Sequence, residues 1–467
     1  MLSRYLTASL LAVALGAPSA QAASTFYITG GGDGHGIGMS QYGAYGYALH
    51  GWNHRQILAH YYQGTAIGNT DPGQTVRVLI AAGNPSFSGA SSAAGLNGHT
   101  TQLSSSQNYT VRNASKGQLQ IYNHSGGQVA TFNPPLVVSG SGPVYSAWHG
   151  WYRGTLEFRP AGSSVQTVNA VDLEDYLRGV ISAEMPSSWS AQALQAQAVA
   201  ARSYAITARV NGNGYSLYSD TRSQMYRGVS AETSSTNAAV AATRGQIVTY
   251  GGTPAVTYFF ASSGGYTEDI QNVWLGSTPE PWLRGVPDPY DNSGANPYYR
   301  WSRQLSLSDA GARLGSLVKG SFEGITVTQR GVSPRVVKAT VLGSGGSTSV
   351  TGAQLQSAFG LLSTDMSFST IASAARRAPS RAGSSGLART AVALERIALG
   401  RPGLRGRVLP APPGARVAIQ KQTDGRWRTV RPHVRVGHRG AYSVALPPGS
   451  RYRVVYRGLP GPAVFVG

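Results

Sequence analysis

Residues 171–205 read VDLEDYLRGVISAEMPSSWSAQALQAQAVAARSYA, and their pattern decides how the middle of the chain folds. Leu173, Tyr176, Leu177, Val180 and Ile181 recur at helical spacing and form one apolar face. Asp172 is placed to cap that helix, and Glu174 and Asp175 favour the positive end of its dipole. Pro186 stops it. Glu184 stands eleven residues after Leu173, about three turns on, and falls on the same apolar face. A second helix, capped by Ser190, is expected to run to Asn211-Gly212. Its alanines let neighbours approach closely and suit it to be the spine of a groove.

A carboxylate on the apolar side of a helix end has two readings. It is a surface glutamate that only looks inward on a helical wheel, or it is a partly buried acid. In the second case the negative end of the dipole and burial both raise its pKa. A carboxylic acid still protonated near neutral pH can donate a proton to a leaving oxygen.

The chain has 467 residues, more than one core normally holds, so two or more domains are expected. Only 12% of residues are charged, while 25 are tyrosine and 60 glycine, which makes for neutral polar surfaces of the kind found on strand-rich secreted proteins. Residues 1–22 read as a signal peptide: Arg4, the apolar run YLTASLLAVALGA, then Ala20-Gln21-Ala22 as a small-x-small cleavage signal. An uncleaved anchor is the other reading. An exported, extracytoplasmic protein is expected. The chain has no cysteine, which excludes disulfides and thiolate metal sites. The net charge of +20 is uneven: from Ser373 onward 18 Arg or Lys stand against two acids, giving +16, against +4 for everything before.

Four regions follow the signal. Residues 24 to about 70 hold a glycine-rich loop and two short helices. Residues 75–170 are a β-rich subdomain, with TVRVLIAAG, YTVRN, QLQIYN, PPLVVSG and GTLEFRP as short strands. Residues 171 to about 372 mix helix and strand and complete a core spanning 24–372. Residues 373–389 read as a linker, and 390–467 as a small basic β-sandwich built on ARVAIQKQ, RWRTVRP, AYSVALP and RYRVVYRG. The fold class is α+β.

The segment GGGDGHGIGMSQYGAYGYALHGW, residues 30–52, sets Asp33 and His35 among closely spaced glycines that permit tight backbone and close approach by a ligand. Ser40 is placed to cap a tyrosine-rich helix. The loop is an ordinary glycine-rich turn with a solvated histidine, or a surface whose tyrosines and amides suit sugars. No Gly-Lys-Ser/Thr follows, which argues against a phosphate loop. In YFFASSGGYTED, residues 258–269, Ser262 and Ser263 lack a G-x-S-x-G elbow and read as turn or substrate contacts. SDTRSQMY, residues 219–226, reads as a polar loop. His50, His54 and His60 lack the H-E-x-x-H pattern, and HRQILAHYYQG reads as an amphipathic helix stopped by Gly64, so no metal site is expected there.

The strings GHGIGMSQYGAYGYALHGWNHRQILAHYYQGT, VDLEDYLRGVISAEMPSSWSAQALQAQAVAARSYA, SDTRSQMYRG and YFFASSGGYTED together resemble the stage II sporulation protein D (SpoIID/LytB) family, over residues 27 to about 370. The resemblance implies a mixed α+β core with a substrate groove, and peptidoglycan glycan strands as substrate. It implies lytic transglycosylation of the MurNAc–GlcNAc bond, in cell-wall remodelling or sporulation, with Glu184 as the catalytic acid. It assigns substrate contacts to His35, Met39, Ser40, Gln41 and Tyr42 in the glycine-rich string, to Arg202 and Tyr204 in the alanine-rich helix, and to Ser262 and Ser263. The name LytB also covers amidase enhancers without established chemistry, so a wall-binding protein that recruits an amidase is the alternative.

Two departures from the family stand out. Most relatives carry the GHGxGMSQYGA string near the C-terminus, and its position here looks like a circular permutation. Some relatives bind zinc through cysteine and histidine near SDTxxQxY, whereas this chain has Ser223 and no cysteine, so no cofactor is expected. The basic end of the chain suits anionic wall polymers, or is basic by compositional bias; nucleic acid would satisfy the charge, but export argues against it.

Overall fold

The computed structural model describes residues 23–96, 98–294, 296–376 and 401–467. The expected signal peptide and residues 377–389 of the expected linker lie outside the described residues. No helix among the described residues is long and apolar enough to cross a membrane.

Strand Ala23–Gly30 is the seam of the α+β fold. It pairs antiparallel with Trp301–Leu305 on one side and with Met366–Arg376 on the other, placing Ala23 opposite Ser373. The start and end of the core therefore meet in one ladder, which is the adjacency a permuted chain order requires. Met366–Arg376 pairs in turn with Gly403–Leu409, and that strand with Ala441–Ala445. Residues 373–376, expected to begin a linker, are strand, because their backbone groups are satisfied by Gly403–Gly406. The C-terminal strands form two sheets around an apolar core, but Tyr27 and Ile371 of the main body belong to that core, with Leu404, Ile419 and Val454. The basic segment is thus tied into the body by a shared sheet and a shared core.

Residues 75–170 form the expected strands in two sheets. Thr75–Gly83, Ser164–Asp172, Thr155–Ala161 and Leu136–Ser139 are neighbours in the larger one. Ser164–Asp172 alternates into a nearly continuous buried run and leads straight into helix α3, Leu173–Glu184. Asp172 caps α3 by accepting from the Glu174 N–H, and the five apolar residues of the expected face are all buried. Before Pro186, Met185 is extended and the helix stops. Helix α4, Ala191–Thr207, is buried on most of its circumference. It ends before the expected Asn211-Gly212, because Val210 and Ser216 bond each other and Ser216 N–H donates to the Arg77 carbonyl, which draws the chain into the sheet.

Helices α1, Gln41–Leu49, and α2, His54–Tyr61, pack against α4. Ser40 caps α1 as expected, accepting from the Gly43 N–H. The glycines of α1 are needed for close approach: a Cβ at Gly43 would lie 2.1 Å from the Tyr61 hydroxyl, and one at Gly46 would lie 2.1 Å from the Tyr290 carbonyl. Gly46→Ala is expected to cost about 1–3 kcal/mol by overpacking. A shifted denaturant midpoint with an unchanged slope would register it; an unshifted midpoint would show that the Tyr290 loop yields freely.

Candidate active-site cleft

The end of α3 meets the start of α1 at a cleft of about 590 Å³. Glu184, the last residue of α3, lines it together with Gln41, His35, Tyr204, Tyr258 and Trp274. One carboxylate oxygen of Glu184 accepts from the Met225 N–H at 2.6 Å, and the other from Gln41 Nε2 at 3.2 Å. Burial pushes its pKa up, against the two hydrogen bonds, which pull the other way. Among the described residues it is the one carboxylate lining the cleft. The inward reading of the helical wheel is therefore the one realised.

Gln41 reaches Glu184 because the glycine-rich segment is anchored from behind. Strand Met39–Ser40 runs parallel to Phe259–Phe260, and Asp33 bridges to Ser262. Below them lie two buried acids. Asp291 accepts from the hydroxyls of Ser40 (2.7 Å) and Ser262 (2.8 Å) and from the Gly264 N–H (2.9 Å). Asp288 accepts from the hydroxyls of Tyr61 (2.9 Å) and Ser263 (2.8 Å). Burial, then the charge of Asp291, pushes Asp288 up to about 8. Ser40, Ser262 and Ser263 are thus donors to a buried acid pair. Met39 is core. None of these four lines the cleft, in contrast to the roles the resemblance assigned them, because each side chain is consumed by packing or by the acid pair. Tyr42 also stands outside it, packed edge-on against Trp189 (4.9 Å) and Tyr298 (5.8 Å).

His35 does line the cleft. Its Nδ1 accepts from the Ile37 N–H at 3.0 Å, which leaves the ring proton on Nε2. Burial, and next the Arg335 guanidinium, lower its pKa to about 4, so the ring is neutral at pH 7. Arg335 is itself buried: one nitrogen donates to the Gly34 carbonyl at 3.0 Å, and a Cβ at Gly36 would lie 2.4 Å from its Nε. His35 therefore offers a neutral ring, with Phe260 at 5.3 Å and Trp274 at 5.5 Å. Tyr204 lines the cleft and meets Tyr258 edge-on at 5.8 Å.

Sequence reasoning passed over Tyr258, Trp274, Arg209, Arg222 and Ser223 as cleft residues. Arg222 and Ser223 lie in SDTRSQMY, whose polarity was visible, but nothing local marked Trp274. The three histidines of the 50–60 region engage separate partners: His50 the Gly46 carbonyl, His54 Gln192 and Gln246, His60 the Tyr47 hydroxyl and Pro287 carbonyl.

Arg202 corrects the expectation most sharply. It is 0% exposed and does not reach the cleft. Its Nε and Nη2 form a bidentate pair with Glu174 at 2.8 and 2.7 Å, and Nη1 donates to the Gln246 carbonyl at 3.0 Å. Glu174 also accepts from the Gly245 N–H at 3.1 Å. The acid expected to complement a helix dipole is instead the partner that joins α3 to α4 and to strand Gln246–Tyr250.

A single carboxyl, raised in pKa by burial and set among aromatic rings, Gln41 and two arginines, defines the class: an α+β protein with a one-acid cleft. A family model for the stage II sporulation protein, SpoIID, matches residues 161–250. That stretch supplies Glu184 and Tyr204; the facing wall, Gln41 with residues 258–274, lies outside it. The stage II sporulation protein D of Bacillus subtilis (strain 168) is 30% identical over 217 residues, 43% of this chain and 61% of the relative. That of Bacillus amyloliquefaciens is 30% identical over 220 residues, covering 44% and 62%. An amidase enhancer of Bacillus subtilis (strain 168) is 45% identical over 103 residues, covering 22% and 14%. Residues 161–250 thus carry a SpoIID domain, and the similarity to stage II sporulation protein D extends over 217 to 220 residues of the chain. The matches span less than two thirds of the length of each of these relatives.

Breaking the buried pair has a defined cost. Arg202→Met is expected to destabilise by about 3–5 kcal/mol, by stranding the Glu174 charge. Adding Glu174→Leu should restore much of the loss, which equilibrium unfolding of the two variants would reveal.

Proposed function

We propose that the cleft binds peptidoglycan glycan strands and cuts the β-1,4 bond between MurNAc and GlcNAc by lytic transglycosylation. One observation carries the reading: a lone carboxyl, its pKa raised by burial, lines a cleft walled by the rings of His35, Tyr204, Tyr258 and Trp274, with Gln41 beside it and Arg209 and Arg222 as the cleft's cations. Glu184 gives its proton to the glycosidic oxygen as the bond to C1 breaks, and positive charge develops on MurNAc. The carboxylate then takes the C6 hydroxyl proton as that oxygen closes on C1, giving an anhydro sugar. The proton returns to Glu184 and no water is consumed.

A paired-carboxylate hydrolase would need a second acid about 5 to 9.5 Å away. Asp33, Asp220 and Glu268 are acids of the segments singled out in the sequence that could play that part, and each has its own surroundings. Glu268 is buried and accepts from Ser333 and Val332, Asp220 is paired with Arg222, and Asp33 bridges to Ser262, with burial raising its pKa against the opposing field of Arg335. None lines the cleft. The kinship with stage II sporulation protein D supports a role in cell-wall remodelling or sporulation, and with it an exported, wall-associated protein.

A second reading is favoured by the match to an amidase enhancer: a wall-binding protein that recruits or stimulates a wall amidase without cutting glycan. Purified protein acting alone on peptide-stripped sacculi separates the two. Release of sugars one water lighter than hydrolysed ends supports transglycosylation; no release supports the enhancer.

The basic C-terminal strands extend the proposal to anionic wall polymers. Arg426, Arg428, Arg431 and Arg435 are exposed on Arg426–Arg435, the edge strand of its sheet. Truncation would uncover Tyr27 and Ile371, so substitution is the cleaner test. Changing the four arginines to glutamine is expected to lower retention on sacculi at low salt, with the difference shrinking at high salt. Equal retention at low salt would reject the anchor.

Glu184→Gln is expected to slow glycan release by about 10²–10⁴-fold. Wild-type activity should fall as pH rises through the raised pKa of Glu184, since the protonated acid is the reactive form. The sign for stability is the same. A raised carboxyl binds its proton more tightly when folded, so its contribution is full below the unfolded pKa and is lost as pH rises through the folded one. At pH 7 the glutamine variant should be no less stable than wild type. Full activity in Glu184→Gln would remove Glu184 from the mechanism.

A further inference from the structure

A second cavity, of about 410 Å³, opens beside the cleft and shares His35 and Trp274 with it. One wall comes from the short helix Ile270–Val273 and the residues after it, including Asn272 and Trp274. The other comes from a different part of the chain: Val336 and Val337 of strand Val336–Gly343, with Ala353 and Gln356 of helix Gly352–Phe359. Trp274 is 38% exposed, yet its ring is braced edge-on by Tyr258 at 4.6 Å and, at a tilt, by His35 at 5.5 Å. It is a fixed aromatic surface at the junction of two cavities.

The chemistry of the second cavity differs from that of the cleft. The cleft holds Glu184, Arg209 and Arg222, whereas no Asp, Glu, Lys or Arg lines the second cavity among the described residues. Valines 336 and 337 make part of it aliphatic, and two amides add polarity. Asn272 Nδ2 is engaged by Glu268 and Gln356 Nε2 by the Leu362 carbonyl, so each amide is held in orientation with its oxygen as the remaining acceptor. Apolar surface, an aromatic ring and oriented neutral amides suit an N-acetylglucosamine unit, which has C–H faces, hydroxyls and an acetamido group but no charge. A stem peptide brings carboxylates and amines, for which this cavity has no counter-charge.

We propose that this cavity is a distal glycan subsite. It holds sugars of the same strand whose scissile bond lies at Glu184, and Trp274 is the step between the two. The inference rests on reading the cleft as a glycan site. It adds that the ligand must be a chain long enough to occupy both cavities.

The test uses the full-length Glu184→Gln protein, so that cleavage does not intrude, and β-1,4-linked N-acetylglucosamine oligomers of increasing length as probes. Calorimetric affinity is expected to rise about tenfold or more from the shortest to the longest oligomer. Ala353→Trp places bulk in the cavity from an exposed position and should abolish that rise. Gln356→Ala removes one amide without adding volume and should weaken long oligomers by about threefold or more relative to short ones. Should the tryptophan variant fail to fold, the alanine variant decides. A rise that persists undiminished in the folded variants overturns the proposal. So does an affinity independent of length in the parent, or a stem peptide that binds and is displaced by Ala353→Trp. Failure of the cleavage reading looks different: wild type releases no anhydro product, while length-dependent binding and its loss in the variants remain.

Discussion

Two buried acids hold this site together. Asp288 and Asp291 lie beneath the glycine-rich segment and are expensive to bury unless every oxygen is satisfied. Ser40, Ser262, Ser263 and Tyr61 supply hydroxyls to them, and Asp288 is pushed toward its neutral form, so that the pair does not carry two full charges. The donors come from three separate stretches of chain. A network of this kind is satisfied in one arrangement and costly in others. Its consequence is positional: with Ser40 fixed as the cap of α1, Gln41 is delivered to Glu184.

The electrostatics of the cleft follow from what is hidden behind it. Arg335 and Glu268 are both buried and act on the loop's backbone and surroundings rather than on the cleft surface. Arg335 helps keep His35 neutral. Glu174 and Arg202 neutralise each other between α3 and α4. Glu184 is the acid left facing the cleft, with burial as the main influence on its proton.

The alanine-rich helix explains how these layers fit. Its small side chains allow α1, α2, α3 and α5, Ser234–Ala242, to pack against it at once. A bulkier spine would separate α3 from α1, and the hydrogen bond between Gln41 and Glu184 spans only 3.2 Å. The shared sheet at Ala23–Gly30 works on a larger scale, closing the core and carrying the C-terminal strands Gly403–Leu409 and Ala441–Ala445.

Much of this was legible in the sequence wherever the signal is local. The apolar spacing of α3, its Asp172 cap, the stop at Pro186 and the Ser40 cap depend on residues within a turn or two of one another, and each is realised. Glu184 was visible as a candidate for the same reason, since helical period puts it in line with the apolar face, while the choice between a surface and a buried acid stayed open. The partners of Arg202 and of the three serines were not. Glu174 has a sound local role at a helix start, and a serine before glycine has one in a turn, so no local rule points to their distant partners. Trp274 carried no motif, and the joining of residues 373–376 to the C-terminal strands overrode a composition that reads as a linker. Short-range periodicity and capping were enough for the helices, for the caps of α1 and α3 and for the stop at Pro186, but they missed the end of α4 and left the burial of Glu184 open. Which polar side chains face the cleft and which are consumed beneath it depends on contacts between segments more than a hundred residues apart, such as Gln41 with Glu184, and these exist only once the chain has folded.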